Sequence, residues 1–232
     1  MTRRLVLFDI DGTLLTDGGA ARQAFGASLR EIYGYDQDLA RYDFSGRTDP
    51  QIVFMVLRDA GYTDEAIEAE LERFWKSYLA GVERNVQTPG RVRALAGIAE
   101  IVETLARREK VTLALLTGNI EPGARLKLAG PDLNRYFPFG AFGSDSRDRE
   151  KLPPIAVERA SRIDGYQFKG ADVVIIGDSI YDVRCGAPYD ATTIAIASGK
   201  TPADVLKAEN PRHFFDSAAD HDGLLAAILG ER

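Results

Sequence analysis

The sequence predicts an α/β fold, a doubly wound parallel sheet interrupted early by an all-helical insertion. Three observations carry this expectation. Short apolar runs of strand length, at residues 5–8, 111–116, 173–176 and 193–197, alternate with segments whose apolar residues fall at helical spacing. Those runs are apolar at nearly every position, as in strands of a parallel sheet whose two faces are both covered by helices. From about Thr16 to Thr88 no strand-like run occurs.

Taken in order, the first strand is Leu5-Val6-Leu7-Phe8, and it breaks at Asp9-Ile10-Asp11-Gly12-Thr13. The insertion then opens with a stripe of Phe25, Leu29, Ile32 and Tyr33. Asp49-Pro50 is a helix start, followed by Ile52, Val53, Val56 and Leu57. A longer stripe holds Ile67, Leu71, Phe74, Trp75, Tyr78 and Val82, and Thr88-Pro89-Gly90 is the turn at which the core resumes. These stripes are expected to pack helix against helix. Leu95, Ile98, Ile101, Val102 and Leu105 then read as a core helix, as does 154–163, while Phe214-Phe215 is a weaker strand. The expected division is residues 1–15 and 89–232 in the core and 16–88 in the insertion.

Composition narrows the function classes. A chain of 232 residues with 45% hydrophobic content can build a packed core, which excludes disorder. A net charge of −6 and the lack of a long basic run argue against nucleic acid as partner. The single Cys185 excludes an internal disulfide and a cysteine zinc site, and suits a reducing compartment. Met-Thr-Arg-Arg followed by a short strand lacks the length of a signal peptide, and no apolar stretch is long enough for a bilayer. The cytoplasm is the expected location, with no membrane partner.

The strand ends carry the chemistry. Side chains alternate along a strand, so Asp9 and Asp11 start on one side, and burying two like charges that close needs compensation. The run 173–176 likewise leads into Gly177-Asp178-Ser179-Ile180-Tyr181-Asp182, and 111–116 into Thr117-Gly118-Asn119. Parallel strands present these ends along one edge, where ligands bind in doubly wound sheets. Asp9, Asp11, Asp178 and Asp182 can then converge with Thr117 around a hard divalent cation such as Mg²⁺, which takes oxygen ligands and substrate phosphate oxygens.

Asp9-x-Asp11-Gly12-Thr13, Thr117, the Lys151 region and Gly177-Asp178-x-x-x-Asp182 resemble, in order, the four motifs of the haloacid dehalogenase superfamily. The insertion resembles the α-helical cap of its phosphoglycolate-phosphatase-like members. The resemblance implies a Mg²⁺-dependent phosphatase acting on a small phosphorylated metabolite through an aspartyl-phosphate. In that scheme Asp9 is the nucleophile, and Asp11 protonates the leaving oxygen and then takes a proton from water. Asp9, the backbone carbonyl of Asp11 and Asp178 would hold Mg²⁺, with Asp182 ligating through water or orienting that shell. Thr117 and backbone N–H groups near Gly118 and Asn119 would bind the transferring oxygens.

For the third motif's basic residue, Lys151 followed by Pro153 and Pro154 resembles the family's Lys-Pro-x-Pro form, while alignment on the helix that follows favours Arg149, or less so Arg147. In the insertion, Ser45-Gly46-Arg47-Thr48-Asp49 resembles the loop that closes over the site, making Arg47 a candidate for the substrate's distal anion. Asp11 points away from dehalogenases, which lack it, and Lys76 is expected on the surface rather than in a Schiff base. A phosphomutase of the same superfamily is the alternative, and a catalytically silent phosphate-binding protein the remote one. His213, His221 and Cys185 are expected to be packing or surface groups. Oligomeric state and physiological substrate are not legible.

Overall fold

The computed structural model describes residues 3–231. They form a parallel sheet of six strands in the order β5-β4-β1-β6-β7-β8, with β1 Arg4–Phe8, β4 Val111–Leu116, β5 Gly140–Ala141, β6 Val173–Gly177, β7 Thr192–Ile196 and β8 His213–Phe215. From β1 the chain moves outward to one edge through β4 and β5, then returns to build the other half through β6, β7 and β8. The α/β architecture matches the sequence expectation, and the strand order puts the carboxyl ends of β4, β1 and β6 side by side.

The apolar density of β1 follows from its place between two layers. Val6 and Phe8 pack on one side with Ile98, Ile101 and Leu105 of α4 (Ile98–Ala106), Leu128 of α5 (Glu121–Ala129) and Leu224 of α9 (His221–Leu229). Leu5 and Leu7 pack on the other with Leu152, Ala156 and Ala160 of α6 (Leu152–Asp164). These four apolar residues of β1 are fully buried, each worth about 1.5–3 kcal/mol relative to exposure. Two short helices, α7 (Ile180–Gly186) and α8 (Ala203–Ala208), complete the second half.

Between β2 (Leu15–Thr16) and β3 (Arg93–Ala94) lie only helices: α1 (Ala20–Tyr33), α2 (Asp49–Asp59), α3 (Asp64–Val86) and a single 3₁₀ turn. Strands β2 and β3 pair antiparallel, Leu15 opposite Ala94, so the outgoing and returning crossings of this insertion are tied together. Thr48 and Thr63 cap α2 and α3 through their side chains, which sets where each helix begins. The insertion has its own apolar cluster, in which Phe25 meets Phe74 and Tyr78 edge-on at 5.1 and 5.7 Å.

Candidate active site

Each strand end delivers one part of the site. Asp9 directly follows β1, its N–H still donating to Ile176 O at 3.0 Å, so it is fixed by the sheet ladder and its side chain is buried. Asp178 follows β6 and accepts from Thr13 Oγ1 at 3.3 Å. Gly12 makes the turn between them at φ 82°, where a Cβ would stand 2.4 Å from Asp178 Oδ2, so any other residue is both strained and blocked. Asp182 sits in the first turn of α7 and forms a reciprocal capping box: its Oδ2 accepts from Ser179 N at 3.0 Å, and Ser179 Oγ accepts from Asp182 N.

Arg149 closes this cluster. Its Nη2 donates to Asp9 Oδ1 at 3.1 Å, to Leu116 O at 3.3 Å and to Asp182 Oδ1, while its buried Nε has no hydrogen-bond partner among the described residues. Carboxylate oxygens of Asp9, Asp178 and Asp182 lie within 4.8 Å of one another. Burial pushes the Asp9 carboxyl up to about 7; Arg149 opposes that shift, and Asp182 and Asp11 add to it. Burial, then the charges of Asp9, Asp182 and Asp11, drives Asp178 well above the usual carboxylate range. With all three carboxylates ionised, one guanidinium would leave two negative charges uncompensated at a site whose candidate ligand atoms are all carboxylate oxygens, which is why Asp9 and Asp178 hold protons so readily without a cation. That donor set fits a hard divalent cation.

Across the Gly12 turn, Asp11 has a different set of partners. Its Oδ2 accepts from Lys127 Nζ at 2.7 Å and from Asn119 Nδ2 at 2.8 Å. Asn119 also donates to Thr117 Oγ1 at 2.9 Å and accepts from Lys127 at 2.7 Å. The insertion docks onto the same edge. Asp49 N donates to Gly118 O at 2.7 Å, Asp49 Oδ2 accepts from Ile120 N at 2.9 Å, and Thr48 Oγ1 donates to Arg147 O at 2.7 Å. A Cβ on Gly118 would lie 2.0 Å from Arg47 O, so only glycine lets this loop approach so closely. Between insertion and sheet edge is a cavity of about 820 Å³, lined by Asp9, Asp11, Thr117, Arg149 and Asp178 from the core and by Arg47 among others from the insertion.

Residues 6–187 match the model of the haloacid dehalogenase-like hydrolase family. The chain belongs to that family. This hydrolase is 27% identical to a phosphoglycolate phosphatase from Mesorhizobium japonicum over all of its own length and 97% of that protein. Among solved structures, a predicted phosphatase from Clostridium acetobutylicum superposes at TM-score 0.72 with 20% identity, over 99% of this chain and 100% of that one. A candidate β-phosphoglucomutase from Bacteroides vulgatus superposes at 0.67 with 20% identity, over 99% and 90%. The two structural likenesses bear on the fold alone.

Within the hydrolase, one sequence expectation is corrected by geometry. Lys151 does not reach the site: its side chain is 72% exposed and pairs with Asp148 at 3.6 Å. The 3₁₀ turn Arg149–Lys151, capped by Asp148, precedes α6 and points Arg149 inward, so counting back from Pro153 and Pro154 selects the wrong face of the turn. Arg147 turns to the insertion, its guanidinium 3.4 Å from the Phe54 ring centroid. Arg47 lines the cavity, with Nε donating to Asp43 O at 3.1 Å. Lys76 is exposed, and Cys185 is buried with its thiol pushed up to about 12 by that burial.

Sequence reasoning passed over Lys127, and read Asp49 only as part of a helix start and closing loop and Tyr78 only as a packing residue. Lys127 stands between Leu126 and Leu128 on α5 and looks like the polar side of an amphipathic helix; its burial becomes visible only once α5 is docked. Among the described residues no helix is long and apolar enough to cross a membrane.

Proposed function

We propose that this hydrolase is a phosphatase that removes the phosphoryl group from a small phosphorylated metabolite by way of a phosphorylated Asp9. The observation carrying this reading is the split between two carboxylates only two residues apart. Asp9 is buried with Asp178, Asp182 and Arg149, whereas Asp11 is held by Lys127 and Asn119 and keeps a side-chain exposure of 41% toward the cavity. That split supports Asp9 as the nucleophile and Asp11 as the proton carrier.

Asp9 attacks phosphorus while Asp11 gives a proton to the departing oxygen; Asp11 then takes a proton from the water that releases phosphate from Asp9. Thr117 and the backbone N–H groups of Gly118 and Asn119 receive the phosphoryl oxygens. Arg149 holds Asp9 in line and offsets its charge. Asp9, Asp178 and the Asp11 carbonyl would hold Mg²⁺, with Asp182 ordering the surroundings, and the bound ion would supply charge neutralisation between nucleophile and phosphate. The helical insertion, residues 16–88, acts as a cap that excludes bulk water, and Arg47 meets the substrate's distal anionic end.

The test is phosphate release from an aryl phosphate with and without Mg²⁺, followed by a panel of sugar phosphates and phosphoacids. Release that depends on Mg²⁺ and is lost in Asp9→Asn supports the reading. Isomerised sugar phosphate in place of inorganic phosphate would move the chain to the phosphomutases, and binding without turnover would make it a silent phosphate-binding protein.

A further inference from the structure

Lysine is almost never fully buried without partners, because stripping water from an ammonium costs several kcal/mol. Lys127 is only 3% exposed, and its partners come from separate parts of the fold. Asp11 Oδ2, at 2.7 Å, belongs to the loop after β1, and Asn119 Oδ1, at 2.7 Å, to the end of β4. Asp17 Oδ2, at 3.8 Å, belongs to the exit from β2, where the same carboxylate caps the start of α1 by accepting from Ala21 N at 2.8 Å. The charge of Asp49, at the docking point of the insertion, also acts on this ammonium. One cation from α5 thus meets two carboxylates, one of them the proposed proton carrier, and feels the charge of a third.

We infer that Lys127 is a positioning residue for proton transfer. It fixes the Asp11 carboxyl by one oxygen, shared with Asn119, and so determines how the rest of that group meets the oxygen leaving the phosphorus. Its contact with Asp17 ties that orientation to the base of the helical insertion. A lysine serving stability alone would leave the demand of the reaction for an acid unchanged; one that aims the acid would not. The inference rests on the proposed phosphatase reading.

The test uses a series of aryl phosphates running from p-nitrophenyl phosphate, whose leaving group needs little protonation, to unsubstituted and methoxy-substituted phenyl phosphates, which need more. For wild type, Lys127→Met and Lys127→Arg, kcat/KM is measured across the series with Mg²⁺, and folding is checked by thermal melting. The expected result is a steeper dependence on the leaving group in both variants, weaker in Lys127→Arg, with Lys127→Met losing about tenfold more on the poorest leaving group than on p-nitrophenyl phosphate. An equal loss across the series in whichever variant folds, no loss at all, or failure of both variants to fold would overturn the inference and leave Lys127 as a stabilising ion pair. A wild-type protein inactive on the whole series would instead strike the phosphatase reading.

Discussion

Arg149 and Lys151 are two residues apart on one 3₁₀ turn, yet the turn commits them to opposite environments. Among the described residues Arg149 is the sole guanidinium against Asp9 and Asp182, so Arg149→Ala leaves buried carboxylates without their partner. Breaking a buried pair in this way typically costs 3–5 kcal/mol. The variant is therefore expected to melt well below wild type in the absence of metal and to lose turnover, because Asp9 is no longer held. Lys151→Ala removes an exposed side chain with one surface contact at 3.6 Å and is expected to change stability by less than about 0.5 kcal/mol and activity little. Side-by-side melting and phosphate-release assays check this; the opposite pattern would return the third-motif role to Lys151.

At the scale of elements, the contact between α2 and the β4–α5 loop joins the insertion to the core. Its central group is Asp49, whose carboxyl is buried at the junction, where Ile120 N donates to it and Tyr78 packs close by. Burial pushes this carboxyl from 3.8 up to about 6, with Lys127 opposing. Because the folded state binds the proton more tightly than the unfolded chain, the stability that protonation contributes is full below about 4 and is lost as pH rises through about 6. Asp49→Asn keeps the oxygen that accepts from Ile120 and cannot ionise. Melting temperatures from pH 4 to 7 should fall for wild type relative to this variant across that window. Parallel curves would show that Asp49 does not titrate there. The same scale explains what sequence reading could and could not find. Strands β1, β4 and β6 are legible because both faces are buried and almost every residue is apolar, and β7 through its apolar end Ile194-Ala195-Ile196. Strands β2, β3 and β5 are two residues each and exist through pairing with neighbours, so no local pattern marks them. The stripe on α5 is thin, Ala124 and Leu128, which is why the lysine between them went unnoticed.

For the whole molecule, the site depends on topology more than on any local signal. Asp9, Asp11, Thr117 and Asp178 are recognisable from sequence because each follows an apolar strand, and the strand order then sets those strands side by side. Arg149 and Lys127 come from helical turns, where a shift of one or two residues reverses inside and outside, and only the docked structure fixes that phase. The cluster they build is over-supplied with negative charge, so the folded state should bind Mg²⁺ in preference to the unfolded chain. At a Mg²⁺ concentration one hundredfold above its Kd, linkage adds about 2.7 kcal/mol, or a rise in Tm of roughly 5–10 °C for a chain of this size. Asp178→Asn should largely remove that response while leaving the metal-free protein at least as stable, since one uncompensated buried carboxylate is gone. An unchanged Mg²⁺ response in the variant would place the cation elsewhere. The central claim, that Asp9 takes the phosphoryl group, is tested most directly by quenching the enzyme during turnover of an aryl phosphate with borohydride and mapping the product by peptide mass spectrometry. The expected result is conversion of residue 9 to homoserine only when substrate and Mg²⁺ are both present; turnover with residue 9 unmodified, or reduction at another carboxylate, would contradict it.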